Sequence, residues 1–143
     1  MMKPQTLLEK WTSFGPQLQS VLRIVAALIY VVAGTVILFG FPVGMPPNGG
    51  TAPLMSQTGL GGALEVIGGG LLVLGLFTRP VAFLLSGEMA VAYFQFHAPQ
   101  GFWPNVNGGI PAVLYCFLWL YFSAAGPGPW SLDAMIGRNR TEG

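Results

Sequence analysis

The chain has 143 residues, of which 52% are hydrophobic and only 8% charged, and its net charge is +1. A soluble domain of this size leaves much of its surface in water and cannot hide so much apolar area, so the composition suits a bilayer as solvent. The same figures exclude a nucleic-acid binder, which needs a basic run, and a disulfide framework, because there is a single Cys.

The first stretch, Lys3 to Gln19, mixes Leu7, Leu8, Trp11, Phe14 and Leu18 with Glu9 and Lys10. Leu7, Trp11, Phe14 and Leu18 fall on one helical face. Pro16 interrupts the helix, and residues 1–20 read as an amphipathic segment lying on the cytoplasmic interface.

Four spans are expected next, at about 21–41, 59–77, 80–98 and 106–125, since a bilayer is crossed by roughly 20 apolar residues. The first is charge-free from Ile24 to Phe41. It is longer than a signal h-region and no small-x-small site follows it, so it reads as a retained helix. Pro42, Gly44, Pro46, Pro47, Gly49 and Gly50 end it. The second span holds Glu65, and in it Gly61, Glu65, Gly68, Leu72 and Gly75 recur as a seam, with Gly69 beside it. Small residues of this kind let membrane helices approach closely. Arg79-Pro80 makes a short turn into the third span, which holds Glu88, Gln95 and His97. Asn107-Gly108-Gly109 reads as a plain turn before the fourth span. Gly126-Pro127-Gly128-Pro129 stops that span, and in the tail, residues 127–143, Ser131 can N-cap a short turn through Ile136.

The six basic residues, Lys3, Lys10, Arg23, Arg79, Arg138 and Arg140, all fall on one side of such a chain. The positive-inside rule makes that side cytoplasmic, with both termini there. Arg23 is expected to snorkel to that interface, and Phe102, Trp103 and Trp130 to sit at span ends. The fold class is therefore all-α: a polytopic membrane protein, a four-transmembrane-helix antiparallel bundle.

Glu65 and Glu88 are the informative residues. A charge at mid-span costs about 2.5–3.5 kcal/mol on insertion scales and marks a functional site by default. At 1.5 Å per residue, Glu65 lies about 9 Å and Glu88 about 15 Å below the external end. Joined by a short turn, the second and third spans are expected to be neighbours whose carboxyls share one internal site. Gln95, seven residues from Glu88, shares its stripe; His97, nine residues on, is placed on the opposite face near the external mouth. Glu65, Glu88, Gln95 and His97 are the candidate ligand-binding residues; Gly61, Gly68, Gly69, Gly75 and Arg79 are the candidate structural ones. Two roles stay open for the carboxyls: a hydrogen-bonded glue between helices, or contact with a ligand. Tyr30, Tyr93, Tyr115 and Tyr121 can donate hydrogen bonds to either. One His and one Cys, Cys116, are too few for a bis-His haem, a thiol pair or a zinc or iron–sulfur centre, so no metal and no intrinsic cofactor is expected.

From Leu22-Arg23-Ile24 and Gly34 onward, the chain resembles the DoxX family. Gly62 to Arg79, with Glu65, Gly68, Gly69, Gly75, Thr78 and Arg79, is similar to the family's Glu-x-x-Gly-Gly and Leu-Gly-x-x-Thr-Arg pattern. Gly126 to Asp133 is similar to its Gly-x-Gly-x-x-Ser-Leu-Asp close. The resemblance implies an inner-membrane protein of four helices. Family members take their name from a subunit associated with a terminal quinol oxidase, and some are linked to thiol or oxidative-stress systems. The expectation is thus an accessory subunit of a quinone-linked or oxidative-stress redox system, with a bound quinone as candidate ligand. Lipid, redox-complex subunits and further copies of the chain are the candidate partners. The competing expectation is a non-enzymatic assembly factor, chaperone or small-molecule carrier. Whether the chain is itself an enzyme is left open.

Overall fold

The computed structural model describes residues 6–141, so Lys3 and the start of the amphipathic segment lie outside the described residues. Among these, all named elements are helical. Helix α1 (Leu7–Thr12) opens with a capping box in which Thr6 and Glu9 satisfy each other's backbone N–H. Leu7, Leu8, Trp11, Phe14 and Leu18 are all exposed. Helix α2 (Gly15–Phe39) starts afresh with Pro16 in its first turn and ends at Gly40, whose φ of 64° is the left-handed cap that glycine adopts freely. Pro16 therefore begins a helix.

Helix α3 (Gln57–Leu74) is capped by the Ser56 hydroxyl, which accepts from Gly59 N at 3.0 Å. Its left-handed end is Gly75. Helix α4 (Thr78–Ala92) runs without a break into a π-helical turn, Tyr93–His97, and a short 3-10 turn, Ala98–Gln100. Next the chain forms a single turn, α5 (Pro104–Asn107), and, after the turn expected at Asn107-Gly108-Gly109, α6 (Ile110–Ala125), with Gly108 at φ 72° between them. Helix α7 (Leu132–Thr141) follows, with Ser131 Oγ accepting from Ala134 N.

Two helical stretches, Leu7–Phe39 and Gln57–Leu74, are long and apolar enough to cross a membrane; Ile110–Ala125 is a shorter apolar helix. Large apolar side chains along the outside, among them Leu28, Ile29, Ile67, Phe83, Leu114 and Phe117, are exposed.

Packing is uneven. Helix α2 lies closely along α3, and α4 along α6, whereas consecutive α3 and α4 touch far less. Glycine explains the first pair. A Cβ at Gly34 would sit 2.6 Å from Gly62 O and 2.9 Å from Glu65 Cβ. One at Gly69 would sit 2.8 Å from the Val31 side chain. Gly68 turns the other way, where a Cβ would meet Leu85 of α4 at 2.9 Å. Two glycine faces on α3 thus serve two neighbours.

The end of the bundle that holds the α3–α4 turn is tied by polar side chains. Arg23 is fully buried, which corrects the expectation of a snorkelling side chain. Its guanidinium donates to Leu72 O at 2.8 Å, to Trp130 O at 2.7 Å and to Pro127 O. Five donors in a fixed fork suit three carbonyls held by different segments. Gly75 is not part of the α3 seam as expected; it is the helix cap, and a Cβ there would meet the Arg23 guanidinium at 2.9 Å. Asp133 accepts from Phe77 N at 2.9 Å and Thr78 N at 2.8 Å, which caps α4 from across the chain. Arg79 donates to Ser123 O and Ala124 O at the carbonyl end of α6. Residues Pro127 to Asp133 are therefore docked, not a free tail.

Candidate functional site

The loose contact between α3 and α4 leaves a cleft of about 1140 Å³. Its rim carries Leu60 and Leu64 from α3 and Phe83, Gly87 and Val91 from α4, all exposed, so it opens sideways onto the apolar outside. Its floor is formed by Tyr30 of α2 and Ala112 and Tyr115 of α6. Glu65 and Glu88 both line it.

Each carboxyl is placed by its helix. Gly61 and Glu65 are one turn apart on the same face of α3. Gly61 has no side chain to fill the gap, and a Cβ there would lie 3.3 Å from Glu88 Oε1. Glu88 thus reaches across to α3 beside Glu65, and the two carboxyls interact electrostatically. Glu88 Oε2 accepts from Tyr30 Oη at 2.8 Å. Glu65 is 8% exposed, and its Oε2 has no hydrogen-bond partner among the described residues. Behind them stands an aromatic wall. Tyr30 meets Tyr115 with centroids 4.9 Å apart and Trp119 at 5.4 Å, edge-on. The Tyr115 hydroxyl is engaged elsewhere, donating to Ala26 O at 3.1 Å.

The end of the cleft at the start of α3 is polar. Gln57, Thr58 and His97 line it. His97 was expected on the face opposite Glu88. The π-helical turn Tyr93–His97 winds more widely than an α-helix, which shifts the phase and carries His97 round to the cleft. Its Nδ1 meets Asn107 O at 3.1 Å. The same shift takes Gln95 off the Glu88 stripe: Gln95 is exposed and accepts a hydrogen bond from Gln57 Nε2, tying the π turn to the start of α3.

Two contributors were not legible in the sequence. Tyr30 was one of four tyrosines named as possible donors to a carboxyl, but which of them would serve was not legible, because its partner is 58 residues away. Asn107 was read as part of a plain turn. It is buried, donates to Gly101 O at 2.6 Å and to Tyr93 Oη at 3.4 Å, and accepts from Gly109 N at 2.8 Å. It pins the loop that presents His97. Among the described residues, no group of three or more His, Cys, Asp or Glu could hold a metal ion.

The DoxX family model matches residues 18–98, more than half of the chain, and includes Arg23, Tyr30, Glu65, Arg79, Glu88 and His97. The chain belongs to the DoxX family. A protein of Haemophilus influenzae, described as an uncharacterized protein, is 43% identical over 125 residues, which span 84% of this chain and 91% of that one. No solved structure matches. Within this DoxX chain, the matched segment supplies both carboxyls and Tyr30, while the floor residues Ala112 and Tyr115 come from beyond it.

Proposed function

We propose that this DoxX protein crosses the inner membrane four times, with both termini cytoplasmic, and binds a quinone in the Glu65/Glu88 cleft as an accessory subunit of a quinone-linked or oxidative-stress redox system. The observation that carries this reading is an apolar cleft open to the side, with a buried, unpartnered carboxyl oxygen at its floor. Small-molecule sites have this character: mostly apolar walls with a few convergent polar groups. An ionisable residue inside a span marks such a site more often than chance packing.

The residues present fit a quinone. Tyr30, Tyr115 and Phe83 offer ring contacts for a flat head, and the exposed rim leaves room for an apolar tail. Glu65, when protonated, can donate to a ring carbonyl. Glu88 is oriented by Tyr30. A bound quinone would supply two-electron redox chemistry, which the side chains alone do not; the chain's own residues bind it, orient it and hold a proton at Glu65.

The test is titration of the purified protein in mild detergent with a short-chain quinone, read by tryptophan fluorescence. Saturable binding that weakens in Glu65→Ala with the fold intact supports the reading. Equal binding by wild type and Glu65→Ala, or none by either, sinks it. A quinone-free protein that still restores assembly of a membrane complex would favour the assembly-factor alternative.

A further inference from the structure

We propose that the same cleft binds lipophilic organic cations, an apolar body bearing a protonated amine or similar charge, with Glu65 and Glu88 as counter-charges. This does not depend on the quinone reading; it adds a ligand class of opposite electrostatic demand.

The donor and acceptor inventory leads to it. Two carboxyls line the cleft, and no Lys or Arg does. Arg23 and Arg79, the nearest basic side chains by sequence, are spent on backbone carbonyls at one end of the bundle. The two phenol donors on the floor are also committed, Tyr30 to Glu88 and Tyr115 to Ala26 O. Thus Glu65 lines the cleft with a buried Oε2 that has no hydrogen-bond partner among the described residues, and the lining brings two carboxyls but no Lys or Arg to it. A buried carboxylate without a partner is costly, and one cation placed between two carboxylates offsets that cost for both.

The walls suit the same ligand. Tyr30, Tyr115, Phe83 and Phe96 line the cleft. A cation within about 6 Å of such ring faces gains roughly 0.5–2 kcal/mol, the upper figure when desolvated. The exposed apolar rim admits an apolar body from the side without passage through water. His97 also lines the cleft, with its Nδ1 engaged by Asn107 O at 3.1 Å.

The experiment uses the full chain in mild detergent and radiolabelled tetraphenylphosphonium in a scintillation proximity assay. Saturable binding of one cation per chain is expected. Glu65→Gln and Glu88→Gln keep side-chain size and should each weaken it at least tenfold, with unchanged size-exclusion profile. Should a Gln variant not fold, the wild type still decides: excess tetraphenylborate, an anion of the same shape, should displace at least tenfold less well than unlabelled tetraphenylphosphonium. Absent saturable binding, retained binding in both folded Gln variants, or equal displacement by the anion would overturn the proposal. A protein that binds a short-chain quinone but no tetraphenylphosphonium would overturn this inference and leave the quinone reading standing.

Discussion

Replacing Arg23 tests the tie at the end of the bundle most directly. Its guanidinium is fully buried and donates to three carbonyls, Leu72 O, Pro127 O and Trp130 O, from two segments that are far apart in sequence. Hydrogen bonds from a charged donor are worth about 1.5–3 kcal/mol each, and part of that is offset by burying the charge. Removing the guanidinium leaves three carbonyls without this donor, and each buried acceptor left unsatisfied costs about 1–3 kcal/mol. Arg23→Ala should therefore lower stability by about 4 kcal/mol. For a chain of this length that is roughly 13 °C in Tm. Arg23→Lys keeps the charge but has no fork, so it can serve only part of the set and should fall between the two. The assay is thermal unfolding in mild detergent followed by intrinsic fluorescence, with circular dichroism as a second probe. An Arg23→Ala variant within about 2 °C of wild type, or a Lys variant equal to it, would refute the three-carbonyl reading.

Gly68→Leu should cut membrane yield and stability, because even a Cβ would meet the Leu85 side chain at 2.9 Å, and overpacking costs about 1–3 kcal/mol or more; wild-type yield and Tm would contradict it. Asp133→Asn leaves one acceptor for the N–H groups of Phe77 and Thr78, so a loss of about 1 kcal/mol is expected from denaturant unfolding. Tyr30→Phe removes the donor to Glu88 Oε2 and should cost about 1 kcal/mol, but nothing further in a Glu88→Ala background, a cycle read by Tm. For the proposed topology, cysteine probes at the exposed positions Asn48 and Gln100 should label from outside, and those at Thr6 and Asn139 should not; the reverse pattern would overturn it.

The helices were legible because their causes are local: apolar runs, the Gly126-Pro127 stop and Ser131 as an N-cap act within a few residues. Gly75 and Pro16 were misread, one as a seam residue and one as a break, because the same residue types serve a left-handed cap and a first helical turn. The nearness of Glu65 and Glu88 was also legible, since placing two residues within a few ångströms in depth on consecutive helices needs only a rise per residue. What the tertiary structure alone decided depends on partners far along the chain or on a change of helical pitch. Arg23 looks like an interfacial cation until carbonyls 49 to 107 residues away close around it. His97 and Gln95 exchange roles because one π turn resets the face of every residue after Ala92, which a fixed 100° step does not anticipate. The cleft itself arises from pairing preference: α2 with α3 and α4 with α6 pack closely, leaving α3 and α4 apart. A glycine face announces that some helix will come near, but which helix fills it, and where the gap is left, is settled only when all of them compete for the same surfaces.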